Sequence, residues 1–137
     1  MSQQQAVYQS LAASGASLIA FIGVCHEFVG DTLFPWAPAF LGGPIVWHSL
    51  GLLTIVLGLL LLAGTLRLIE FPVISFSLVT AAVGLVLVAV VASLHHQFHM
   101  FALAVALAGF GTAFCHRKAA GQGASAGELA SATRRLK

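Results

Sequence analysis

The fold is decided by residues 45–66, which read IVWHSLGLLTIVLGLLLLAGTL. This stretch contains no Asp, Glu, Lys or Arg, and it exceeds the roughly 20 apolar residues that a helix needs to cross a bilayer. Working outward, similar apolar stretches occur at about 8–30, 72–94 and 97–115. In lipid each segment must satisfy its own backbone hydrogen bonds, which excludes isolated strands. The sequence therefore predicts an all-α integral membrane four-helix bundle.

Composition supports a membrane protein with one domain. Of the 137 residues, 59% are hydrophobic and 7% are charged, whereas soluble domains are roughly 25% charged. We expect a four-span domain at 1–116 and, because the composition turns to Gly, Ala and Ser with basic residues, a flexible basic tail at 117–137. Prolines at 35, 38 and 44 are expected to forbid a regular helix in the first connection.

The basic residues predict an orientation. Arg67 lies in the second connection, the other five Lys and Arg residues follow the fourth span, and the first and third connections contain none. The positive-inside rule places such residues in the cytoplasm. We therefore expect a multi-pass protein of the cell membrane with both termini and the tail in the cytoplasm.

Small residues recur at helix-packing intervals, as at Ala12, Ala16 and Ala20, and again at Gly51 and Gly58. In lipid, such stripes allow close approach of helix backbones within a bundle or an oligomer. The expected partners are the lipid bilayer and either further copies of the chain or a larger membrane complex. Nucleic acid is not an expected partner, since the net charge of +2 comes from a short tail rather than from a basic face.

Seven His and acidic residues are predicted to share one depth at one end of the bundle. They lie at the end of the first span, one turn into the second, and around the third connection: His26, Glu27, Asp31, His48, His95, His96 and His99. No Lys or Arg is expected at this depth, and His116 lies at the opposite end. His95 and His99 are four residues apart, as are Glu27 and Asp31, so each pair would share a face if its segment is helical.

Neutral imidazoles are common ligands of zinc, copper and haem iron, and carboxylates can complete such a site. We therefore predict a haem or transition-metal site built from His48 with His26, Glu27 and the His95/His99 pair, with Asp31 and His96 beside it. In a membrane enzyme the metal would act as Lewis acid on a small lipid-soluble substrate.

Three other interpretations are open. Histidines near the membrane surface can simply hydrogen-bond to carbonyls and headgroups. Glu27 could exchange a proton for a cationic substrate in a small transporter. The helices could also belong to a non-catalytic accessory subunit of a larger membrane complex.

The first connection, residues 33–41, combines aromatic residues with prolines. It could fold over the polar residues and exclude water. Alternatively it is an interfacial anchor, with Trp36 and Trp47 in the aromatic belt at the membrane surface.

Residues 27–33, EFVGDTL, resemble the first-helix signature of small multidrug resistance transporters. That family also has four helices and one essential glutamate, so the resemblance implies transport by Glu27. The sequence departs from the family pattern, because Glu27 lies near the end of its span and a proline-rich loop follows.

Residues 28–30, FVG, followed by Pro35 and by residues 47–49, WHS, are similar to the haem-ligating region of four-helix membrane proteins of the styrene oxide isomerase type. The resemblance covers about 25 residues. It implies that His48 is the axial ligand of haem and that an open iron site is the Lewis acid for epoxide isomerisation.

Overall fold

The computed structural model describes residues 2–94 and 98–135, and it describes residue 98 by its backbone only. Within these ranges the chain is helical, and its elements are α1 (Gln3–Leu33), α2 (Ala37–Phe40), α3 (Pro44–Thr65), α4 (Val73–Ala92) and α5 (Phe98–Arg135). Of these, α1, α3, α4 and α5 are each long and apolar enough to cross a membrane. The predicted all-α fold with four such helices is confirmed.

The outward faces of the long helices are apolar. Phe28 on α1 is 82% exposed, and Phe21, Leu53 and Val86 are also exposed. Large apolar side chains in this number are unfavourable in water and suit contact with lipid acyl chains. The structure is therefore consistent with a multi-pass membrane protein; the cytoplasmic position of the termini stays a prediction.

Glycines and prolines shape the connection between α1 and α3. Gly42 and Gly43 have φ of 97° and 117°, which only glycine adopts without strain, and Pro44 then occupies the first turn of α3. The prolines were expected to forbid a regular helix between the first two spans, and the single turn α2 is the one helical piece there.

Helix α3 ends in a Schellman motif. The N–H of Arg67 donates to the carbonyl of Gly64, and the N–H of Leu68 donates to the carbonyl of Ala63. The residue at the left-handed position of this motif is usually glycine, but here Arg67 adopts φ of 58°. A side chain in this conformation costs about 1 kcal/mol relative to glycine.

Small residues set the order of the helices. An added Cβ at Gly58 on α3 would lie 2.4 Å from the backbone N of Ala20 on α1, and one at Gly84 on α4 would lie 2.9 Å from the carbonyl O of Ala102 on α5. Helix α1 packs closely on α3 and α5, and α5 packs closely on α4, whereas α3 and α4 meet at only a few residues. The helices are therefore arranged in the row α3, α1, α5, α4. Although α3 and α4 follow each other in sequence, they lie at the two ends of this row.

The predicted flexible tail differs from the structure, in which residues 117–135 continue helix α5. Ala119 is buried, and the Gln122 side-chain amide donates to Oε1 of Gln4 at 3.2 Å, which ties this segment to the start of α1. Residues 124–135 are exposed. Six alanines in residues 119–132 favour the helix despite the glycines among them, because alanine has the highest helix propensity.

Candidate functional site

Four of the predicted site residues form what we call the polar cluster: His26, Glu27, Asp31 and His48. Three lie in the last two turns of α1 and one lies in the first two turns of α3. Gly51 makes room for them, since an added Cβ there would meet Oε1 of Glu27 at 2.1 Å and Cδ2 of His26 at 2.6 Å. The predicted proximity of these four residues is confirmed.

The imidazole of His48 lies between two carboxylates. Its Nδ1 is 3.2 Å from Oε2 of Glu27, and its Nε2 is 3.7 Å from Oδ2 of Asp31. A protonated imidazole carries an N–H on each nitrogen and matches both carboxylates, whereas a neutral imidazole can donate to only one of them. His48 is therefore flanked by a carboxylate oxygen on the side of each ring nitrogen.

Oε1 of Glu27 is buried and makes no hydrogen bond within the described residues. Burying a carboxylate oxygen without a partner is unfavourable unless it is protonated or neutralised by a cation. A cation bound at Oε1 of Glu27 would relieve this electrostatic cost.

Trp47 joins the polar cluster to the interior. It is 1% exposed, its Nε1–H donates to Oδ1 of Asp31 at 2.5 Å, and its ring lies 3.8 Å from the imidazole of His26. The carbonyl of Trp47 is 2.9 Å from Nε2 of His26. Because a carbonyl only accepts, Nε2 carries the hydrogen and Nδ1 is the acceptor nitrogen of a neutral His26.

The first connection covers Trp47. Phe34 and Ala37 are buried against it together with Val91 of α4, and Trp36 packs against this group. The loop therefore covers Trp47 and not the polar cluster, whose His48 and Asp31 side chains are 45% and 58% exposed to solvent. The interfacial anchor stays a prediction. The helix-packing glycines bring α1 close enough to bury this indole.

The third connection is described only in part. His95 and His96 lie outside the described residues, so their predicted place in the site and the His95/His99 pairing stay predictions. His99 is half-buried in the first turn of α5. Across residues 2–94 and 98–135, no group of three His, Cys, Asp or Glu side chains is arranged to hold a metal ion.

An apolar cavity of about 310 Å³ lies inside the row of helices where α3 and α4 are apart. Residues of α1 and α5 form its back, and Leu53 of α3 and Val83 of α4 are among those at its sides. The hydroxyls of Thr54 and Thr80 donate to carbonyls of their own helices. Among the described residues that line this cavity, His26 is the one with a titratable side chain.

The sequence did not predict this cavity or the place of Trp47 in it. For the polar cluster Gly51 and Gly58 were a usable signal, because glycines at packing intervals on one helix face mark close approach by another helix. The bare pattern could not say which helix approaches.

Comparisons with protein-family models, with curated proteins and with solved structures found no match to this chain. The resemblances to styrene oxide isomerases and to small multidrug resistance transporters therefore stay predictions.

Proposed function

We propose that this protein takes up a small apolar molecule from the bilayer into the apolar cavity and holds it against His26, beside the polar cluster. The observation that carries the proposal is the position of His26, which both lines the apolar cavity and belongs to the polar cluster.

The size and lining of the cavity suit such a ligand. Its volume of about 310 Å³ lies at the lower end of the roughly 300–1,000 Å³ typical of small-molecule sites, and its walls are mostly apolar. Because α3 and α4 barely meet, a molecule dissolved among acyl chains could enter between them without passing through water. The expected ligand is a compact, lipid-soluble molecule with at most one polar group to meet His26.

The chemistry at the end of the cavity is acid–base chemistry. The Nδ1 atom of a neutral His26 can accept a proton, while its Nε2–H is held by the Trp47 carbonyl. Trp47 also bonds to Asp31, and Asp31 faces His48. Hydrogen bonds through Trp47 thus connect the cavity wall to Asp31, whose side chain is 58% exposed, and Nε2 of the 45% exposed His48 lies 3.7 Å from Asp31.

Fluorescence quenching can test this uptake. In a Trp36→Phe background Trp47 is the remaining tryptophan of the two, so a small bromoalkane that enters the cavity should quench its emission with a saturable dependence on concentration. Val83→Phe, which fills the opening, should weaken the saturable quenching about tenfold, equivalent to about 1.4 kcal/mol.

The matched control is Val86→Phe. Val86 lies one turn from Val83 on α4, is similarly exposed at 61% against 53%, and does not line the cavity. It should leave quenching unchanged. Linear quenching without saturation, or equal effects of the two variants, would disprove uptake into this cavity.

We propose metal binding by Glu27 and His48 as a second candidate, because Oε1 of Glu27 is buried without a hydrogen bond. The ligand set is incomplete. The described residues supply two converging groups, Oε2 of Glu27 and Nδ1 of His48, and a third would have to come from His95, His96 or His99. Haem fits less well, since both nitrogens of His48 face carboxylates and one would have to be released to bind iron.

Metal content of gently purified protein tests this second candidate. His48→Ala should remove a bound transition metal measured by elemental analysis, because it deletes one of the two converging ligands that the described residues supply. His116→Ala, at the other end of the bundle, should leave the metal content unchanged. Wild-type protein without stoichiometric metal or a haem absorption band would exclude the candidate, and the proposal of apolar uptake would be unaffected.

A further inference from the structure

The end of the bundle opposite the polar cluster contains a second, different cavity. We call it the basic-end cavity; its volume is about 360 Å³, and Gln9, Arg67, Glu70 and His116 are among its lining residues. These residues come from α1, from the connection between α3 and α4, and from the middle of α5. Unlike the apolar cavity, it presents side chains of opposite charge.

Arg67 and Glu70 line this cavity without pairing. Within the described residues neither of them forms an ion pair or a side-chain hydrogen bond, although they are only three positions apart. His116 adds an imidazole N–H that can donate a hydrogen bond on the wall shared with Arg67. The cavity therefore offers a cationic side and a separate carboxylate, neither of them neutralised by the protein.

The backbone adds an independent reason to look for a ligand of Arg67. Its position in the Schellman motif favours glycine, yet a long cationic side chain occupies it with φ of 58°. Arginine is well suited to phosphate, because its planar guanidinium can donate two parallel hydrogen bonds. The conformational cost of Arg67 would be offset by such a contact.

Taken together, these features match a ligand that carries a phosphate and a primary ammonium. We propose that the basic-end cavity binds a phosphoethanolamine group, with the phosphate at Arg67 and His116 and the ammonium at Glu70. An ammonium with N–H donors suits a carboxylate better than a quaternary ammonium, which cannot donate. The group can be the headgroup of a membrane lipid or a soluble phosphate ester of ethanolamine.

Native mass spectrometry of the full chain in a maltoside detergent tests the proposal. Dioleoyl phosphatidylethanolamine, phosphatidylcholine and phosphatidylglycerol are added separately. The wild type should retain phosphatidylethanolamine about tenfold more tightly than the other two, as expected from one additional charge-assisted contact. Equal retention of all three lipids would overturn the proposal.

Variants assign the two sides of the site. Arg67→Gln should weaken retention of phosphatidylethanolamine about tenfold. Arg134→Gln, which removes the same charge from the exposed end of α5, should change nothing. Glu70→Gln should abolish the preference for ethanolamine over choline while leaving phosphatidylglycerol retention intact. Equal behaviour of the two arginine variants would overturn the role of Arg67, and a preference that persists in Glu70→Gln would overturn that of Glu70.

Arg67→Gly separates binding from folding. Glycine fits the left-handed position, so this variant should melt at the same temperature as the wild type or higher while retaining phosphatidylethanolamine about tenfold less tightly, as Arg67→Gln does. Wild-type retention of phosphatidylethanolamine in Arg67→Gly would overturn the proposal.

Competition with soluble phosphoethanolamine distinguishes the two sources of the group. Displacement of the bound lipid by the soluble compound at similar concentration indicates recognition of the amino-phosphate alone. Displacement only at a far higher concentration indicates that acyl chains contribute and that the ligand is a membrane lipid.

Discussion

Helix α3 meets one neighbour closely and another hardly at all, and the contrast accounts for the site. Against α1 it presents Gly51 and Gly58, with no room for an added Cβ, and this contact assembles the polar cluster. Towards α4 it presents larger residues such as Leu50 and Leu53, which border the apolar cavity. In lipid, close contact depends on small residues because apolar side chains gain little by associating. One helix therefore provides both a packed polar face and an open apolar face.

The largest effect is expected from breaking the close interface. Gly58→Val should destabilise the protein by about 3 kcal/mol, the upper end of the usual range for overpacked sites, because the new side chain meets the backbone of Ala20. Thermal unfolding in detergent measures the loss. Gly111→Val on α5, where an added Cβ has nothing within 4 Å, should stay within about 0.5 kcal/mol of the wild type. Equal melting of the two variants would contradict the close contact.

A smaller effect is expected from the polar bond that this interface buries. Trp47→Phe should cost about 2 kcal/mol, because it removes a donor to the Asp31 carboxylate from an almost fully buried site. The effect should shrink by at least about 1 kcal/mol when Asp31→Ala is already present. Strict additivity in this double-mutant cycle would show that the hydrogen bond contributes nothing to stability.

The smallest effect is expected on the open face. Leu53→Ala should change stability by only about 0.5 kcal/mol, because Leu53 is 61% exposed beside the apolar cavity. Leu61→Ala, the same substitution on the same helix at a residue that is 0% exposed, should cost about 2–4 kcal/mol. If the two substitutions cost the same, the α3 face towards α4 is packed and the cavity is not open.

The sequence could predict features that are set along the chain. Hydropathy identified the four long helices, and the depth of His26 and His48 within their spans was enough to predict their proximity. Which helices become neighbours is decided by packing between distant residues, such as Gly58 with Ala20, so the gap between α3 and α4 could not be predicted. The helical structure of residues 117–135 could not be predicted from their glycine and serine content. It depends on the alanines among them and on the contact of Gln122 with Gln4, which joins residues distant in sequence.

The row α3, α1, α5, α4 has a consequence for how the chain enters the membrane. Its first two long helices pair with each other, and so do its last two, so each pair can form as a helical hairpin as soon as its second helix has been inserted. The two hairpins then join mainly through α1 and α5, since α3 and α4 meet at only a few residues. Insertion by this route does not require close packing of α3 on α4. The opening of the apolar cavity between these two helices is therefore compatible with stepwise assembly of the bundle.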